Sequence, residues 1–87
     1  MINPRVTKIR FYGKEKDKFL CYVSVVFDDN FIVNGLKLVR CDDKILLAMP
    51  TKENIDGNHI ETVHPLSKEY REYLETKIIE KYLKSID

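Results

Sequence analysis

The stretch Phe19-Leu20-Cys21-Tyr22-Val23-Ser24-Val25-Val26-Phe27 is apolar on both of its alternating sides. Successive side chains of a strand point to opposite faces, so Phe19, Cys21, Val23, Val25 and Phe27 share one face, and Leu20, Tyr22, Ser24 and Val26 the other. Its β-branched and aromatic content favours a strand over a helix. A strand of this kind needs a neighbour along each edge and cover above and below, which makes it the expected centre of a sheet.

The flanking sequence supplies the neighbours. Val6 to Tyr12 alternates Thr7, Ile9 and Phe11 against Val6, Lys8, Arg10 and Tyr12, the period of a half-buried strand. Gly13 to Lys18 is polar and reads as an exposed hairpin loop. Asp28-Asp29-Asn30 is a turn cluster that returns the chain as Phe31-Ile32-Val33, and Asn34-Gly35 marks either a tight hairpin or a bulge. Leu36–Arg40 and Lys44–Met49 read as short strands around Cys41-Asp42-Asp43. Thr51 to Asn58 is a polar segment with an Asp56-Gly57 turn, and His59 to His64 reads as a last, marginal strand. Pro65 forces extended geometry on His64, and Ser67 offers a side-chain oxygen to cap a helix from about Lys68 to Lys84, with Glu69 in its first turn. Tyr70, Leu74, Ile78 and Tyr82 recur at a four-residue step, and Ile79, Leu83 and Ile86 widen the stripe. The fold class expected is α+β: an antiparallel sheet of about five to six strands followed by a C-terminal α-helix.

Such a helix is about 25 Å long and ~10 Å across, and five strands spaced ~4.8 Å apart are about twice as wide. One helix therefore leaves sheet surface uncovered, and a second copy of the chain is the expected cover, giving a homodimer through the sheet. A chain of 87 residues is expected to form one domain, and at that size folding buries only about 60–65% of the surface of the unfolded chain, so assembly would help. The formal net charge of +1 provides no global attraction to nucleic acid or acidic membranes, and any such binding needs a local patch. Met1-Ile2-Asn3-Pro4 leads into charged sequence and no apolar run approaches the ~20 residues of a membrane span, which points to the cytoplasm. Cys21 and Cys41 lie far apart with no Cys-x-x-Cys, and are expected to be reduced structural thiols.

Lys77, Lys81 and Lys84 fall at i, i+4 and i+7, one ridge beside the apolar stripe that could track a phosphate backbone, or simply an ordinary solvated face. Arg71 joins the ridge if its guanidinium clears the packed side, and Lys8 and Arg10 are secondary candidates. Tyr73 lies off the stripe and is a candidate for stacking on unpaired bases, whereas Tyr70 and Tyr82 follow the core spacing. His59 and His64 are five apart and fall on opposite faces of a regular strand, so a shared metal is not expected. Asp56, Glu61 and His64 have no accompanying nucleophile, oxyanion hole or phosphate cradle, so no enzyme is indicated.

The segments FIVNGLKLVR and ILLAMPTK, the Asp56-Gly57 turn and the His64-Pro65 step together resemble the stage V sporulation protein G (SpoVG) family, also called septation protein SpoVG. The matching positions are Phe31, Val33, Ala48, Met49, Pro50, Thr51, Lys52, Asp56, Gly57, His64 and Pro65, with Val6, Thr7, Ile9 and Arg10 at the opening. The resemblance implies a small bacterial regulator of sporulation and septation that dimerises through its sheet, binds DNA and RNA, and has no enzyme activity or cofactor. It adds Lys52 to the candidate phosphate contacts, although Glu53 stands beside it. A nucleic-acid-binding regulator is thus one expected function, and a protein-interaction module of the division or sporulation machinery is the other.

Overall fold

The computed structural model describes residues 4–86; Met1–Asn3, which open the sequence, and Asp87 lie outside the described residues. The order of elements is β1 (Val6–Tyr12), β2 (Phe19–Phe27), β3 (Phe31–Cys41), β4 (Lys44–Ala48), β5 (Thr51–Glu53), β6 (His59–Glu61) and α1 (Lys68–Ser85). Strands β1 to β4 form an antiparallel meander in sequence order, with β2 and β3 central, and β5 and β6 make a separate hairpin. The expected α+β class is therefore present, with six strands divided between two sheets.

The turns explain the tight meander. Asp28 and Asp29 both adopt left-handed φ, 53° and 55°, and the Asn30 amide donates to the Phe27 carbonyl at 2.9 Å. Positive φ at both central residues matches the right-handed twist of the flanking strands. The Arg5 amide donates to Asp28 Oδ1 at 3.0 Å and the Asp29 amide to Thr7 Oγ1 at 3.0 Å, so the same turn fastens the start of β1.

Asn34-Gly35 proves to be a bulge inside one long strand. Val23 pairs with Leu36 and Val25 with Val33, which leaves Asn34 and Gly35 opposite Ser24 alone. Gly35 sits at φ 86°, where a side chain would be strained. Ser24, a buried polar residue, is satisfied by donating its hydroxyl to Asn34 Oδ1 at 2.6 Å. A second irregularity near Leu20 turns that side chain into the core, where it is 4% exposed.

Helix α1 lies on one face of the meander. Ser67 caps it by accepting from the Tyr70 amide at 3.1 Å, and Leu74, Ile78 and Tyr82 are buried against Cys21, Val23, Val25, Leu36, Leu38 and Leu47. The rings of Phe11 and Tyr82 meet edge to face at 5.7 Å. Fully burying an aliphatic side chain such as Leu74 or Ile78 is worth about 1.5–3 kcal/mol, so these two together with Tyr82 account for much of the docking. The stripe is narrower than its sequence pattern: Tyr70 and Ile79 are half-buried, and Leu83 and Ile86 are exposed because the sheet ends before them.

Three further expectations are corrected. Strand β4 stops at Ala48, and Met49 continues into the core. The polar segment after Pro50 contains β5, which pairs Thr51 with Glu61, Lys52 with Ile60 and Glu53 with His59; the last strand is thus only His59–Glu61 and His64 lies outside it. Cys21 is buried but Cys41 is exposed at the β3–β4 turn, so only the first thiol is part of the core; both are free.

Burial raises the Cys21 thiol above its ordinary value near 9 and the Tyr82 hydroxyl above 10. A group that holds its proton more tightly when folded leaves stability intact below its unfolded pKa and removes it as pH rises through the folded one. The denaturation midpoint should therefore fall as pH rises above about 8.5. One thiol per chain, Cys41, should react with an aromatic disulfide reagent in the native protein, and the second only in denaturant.

Candidate nucleic-acid interface

The flank of α1 that faces β1 is basic. Lys77, Lys81 and Lys84 on the helix and Lys8 on the edge strand surround a groove of about 360 Å³, completed by Val6, Thr7 and Ile9. Its one carboxylate is Glu80. At about 100° per residue the lysines stand on one side of the buried Leu74–Ile78–Tyr82 stripe. Glu72 and Glu75 gather with Ile79 in a different surface hollow on the other side. Lys77, Lys81 and Lys84 are thus set apart from Glu72 and Glu75 across the buried stripe, and Glu80 borders both hollows.

Tyr73 braces this groove. Its hydroxyl accepts from the Val6 amide at 3.2 Å and ties α1 to the first residue of β1. Its half-buried ring lies 5.3 Å from that of Tyr70, and Lys77 Nζ stands 5.9 Å from its centroid, near the limit of a cation–π contact. The candidate stacking residue thus already has Tyr70 and Lys77 beside its ring. Tyr70 in turn donates its hydroxyl to the Pro4 carbonyl, and burial raises its pKa, with the Tyr73 and Asp28 charges adding to the rise.

Arg71 and Lys52 lie elsewhere. The Arg71 guanidinium bonds Glu61 Oε1 at 3.3 Å, and His64 Nδ1 is 3.9 Å from the same oxygen, so Glu61 of β6 draws Arg71 towards the small hairpin. An exposed pair of this kind is worth under about 1 kcal/mol, yet it points the guanidinium away from the lysines. Lys52 is exposed on β5 and pairs in register with Ile60 of that same hairpin. Arg71 and Lys81 are about 15 Å apart along the helix axis. The sequence candidates thus separate into a lysine groove, which gains Lys8, and a hairpin pair of Arg71 and Lys52. Lys8 joins because β1 is an edge strand, a fact of strand order that its own neighbours in sequence do not reveal.

The other face of the meander carries no helix. Cross-strand register aligns Tyr12, Tyr22, Lys37 and Ala48 in one row, Lys8, Val26 and Ile32 in a second, and Phe19, Val39 and Leu46 in a third. Arg10 stands opposite Ser24 between the first two rows. Among the described residues the element that packs across the sheet is α1, on the opposite face, through β1 and β4. No helix among the described residues is long and apolar enough to cross a membrane.

Comparison with known proteins gives one consistent result. The SpoVG family model matches residues 4–84. The chain is 33% identical over 82 residues to a protein of Bdellovibrio bacteriovorus, spanning 94% of this chain and 76% of that one. It is 35% identical over 82 residues to one of Clostridium beijerinckii, spanning 94% and 86%, and 32% identical over 84 residues to one of Agathobacter rectalis, spanning 95% and 97%. Each of these relatives carries the provisional name of septation protein SpoVG.

Replacing Tyr73 by Phe removes the acceptor for the Val6 amide and keeps the ring. The expected cost is about 1 kcal/mol, or a melting temperature lower by about 4–8 °C in a thermal scan followed by circular dichroism.

Proposed function

The chain belongs to the SpoVG family, and on that footing we propose that it is a homodimeric nucleic-acid-binding regulator in the cytoplasm, acting in septation or sporulation by binding rather than catalysis. The observation that carries the reading is the groove between α1 and β1, where four lysines meet one carboxylate. Lysines aligned along a groove engage phosphates and displace counterions from them, a term that needs no net positive charge on the whole protein. Lys77, Lys81, Lys84 and Lys8 hold the backbone in this reading. Arg71 and Lys52 form a second, weaker contact region, in which Arg71 must leave Glu61 to reach a phosphate.

Support for the dimer comes from apolar surface on the helix side that α1 does not fully cover. Phe31 is 65% exposed at the start of β3, and Leu66 is 98% exposed before the helix. Phe31 lines a strongly apolar cavity of about 340 Å³ that is also bordered by Phe27, Val33, Met49, Val63 and Leu74. A second copy covering this end of the sheet buries both residues and leaves the lysine groove accessible, and a two-fold axis then presents two grooves to one strand or duplex.

Fluorescence polarisation with labelled DNA and RNA over a salt series tests the reading. Binding should fall steeply with salt, and the double variant K77A/K81A should reduce the slope of log K against log[salt] by about 1.4–1.8, the loss of two phosphate contacts. Binding that is absent, or insensitive to both salt and the two lysines, contradicts it and leaves the same surfaces to a protein partner.

A further inference from the structure

Tyr12 on the open face of the sheet is held in an unusual way for an exposed ring. Its hydroxyl accepts from the Gly35 amide at 3.3 Å, so the side chain reaches from β1 across β2 to the bulge in β3. Tyr22 stacks on it at 5.4 Å between centroids and 24° between planes. Phe19 meets Tyr22 edge-on at 4.8 Å. Gly13, at φ 91°, lets the chain pass so close to Tyr22 that a Cβ there would sit 3.0 Å from its ring. Tyr12 and Tyr22 nevertheless remain 38% and 37% exposed. An aromatic cluster has been fixed at the surface and left uncovered.

The charge of this face is one-sided. Lys8, Arg10 and Lys37 surround the rings at the strand positions given by the register, and none of the positions sharing this face on β1 to β4 is Asp or Glu. Lys8 also borders the groove beside α1, so it links the helix lysines to Arg10, which is next on the same side of the edge strand. Lys8 is thus the position of β1 that borders the groove and also falls in the open-face rows.

We propose that this open face is a stacking platform for the unpaired bases of single-stranded nucleic acid, with Tyr12 and Tyr22 as the stacking surface and Lys8, Arg10 and Lys37 positioning the adjoining phosphates. Rings that are already immobile lose little entropy when a base settles on them, and cations interleaved with aromatic rings favour a strand whose bases are free to splay. A second copy of this chain fits the face poorly, because a two-fold contact sets lysine and arginine against their own images with no carboxylate between them. The inference rests on the nucleic-acid reading of the lysine groove and adds to it a second surface with a preference for unpaired strands.

The test compares the wild type with Y12L, Y22L and Y12F, each checked by circular dichroism, against a labelled 12-nucleotide single strand and its duplex. Leucine keeps apolar bulk and removes the flat ring, so Y12L and Y22L should each weaken single-strand binding roughly 5- to 150-fold and leave duplex binding unchanged. Y12F, which keeps the ring, should bind close to the wild type. Photocrosslinking of the unmodified protein should place nucleotide adducts on Tyr12, Phe19 or Tyr22, a result independent of how well any variant folds. Leucine variants that bind single strands normally, or adducts confined to the helix, overturn the platform while the lysine groove stands. Leucine variants that turn a dimer into a monomer in sedimentation overturn it in favour of self-association. A wild type that binds neither oligonucleotide removes the platform together with the functional reading beneath it.

Discussion

A central strand that is apolar on both sides has, in this chain, a single helix to cover it. Val23 and Val25 of β2 are completely buried in one cluster with Leu74, Ile78 and Tyr82 of α1. The opposite side of the same strand receives no helix and is closed instead by short-range devices. Ser24 is satisfied by Asn34 across a bulge, Tyr12 is laid over β2 and pinned to Gly35, and Tyr22 stacks on Tyr12 and meets Phe19 edge-on. One face is thus a conventional core, and the other a shallow aromatic layer at the surface.

This asymmetry also organises the charge. Because the buried stripe of α1 is narrow, the residues on its two sides come to lie over different parts of the sheet. Lysines on one side meet Lys8 at the edge strand, and glutamates on the other gather with Ile79. A helix buried on a wider front would have brought these charges close enough to pair with one another. A net charge of +1 therefore coexists with a groove of concentrated positive potential, and composition alone does not describe the surface.

Much of the fold was legible because its signals are local. The alternation of Val6–Tyr12 and Phe19–Phe27, the Asp28-Asp29 turn and the Ser67 cap each act within a few residues, and each element appears close to where its pattern puts it. What was not legible depends on contacts distant in sequence. Asn34-Gly35 reads equally as hairpin or bulge until Ser24 is set opposite it, and β5 has no apolar alternation because it pairs only with β6. Leu83 and Ile86 obey the helical period but run past the end of the sheet, and Cys41 is placed at a turn by its register with Lys44. The lysine ridge was visible in its spacing, whereas the membership of Lys8, the diversion of Arg71 to Glu61 and the stacking of Tyr12 on Tyr22 required the strand order and the tertiary fold.

The proposed nucleic-acid strand would run along the lysine groove, round the β1 edge and end on the open face. Backbone amide chemical shifts of isotopically labelled protein, followed during titration with a short single-stranded oligonucleotide, test it residue by residue. The expected result is one continuous band of perturbed amides through Lys77–Lys84, Lys8–Tyr12, Tyr22 and Lys37, with the β5–β6 hairpin little affected. Perturbations confined to Lys52, Glu61 and Arg71, or no shifts in β1 and β2 at saturation, would contradict it.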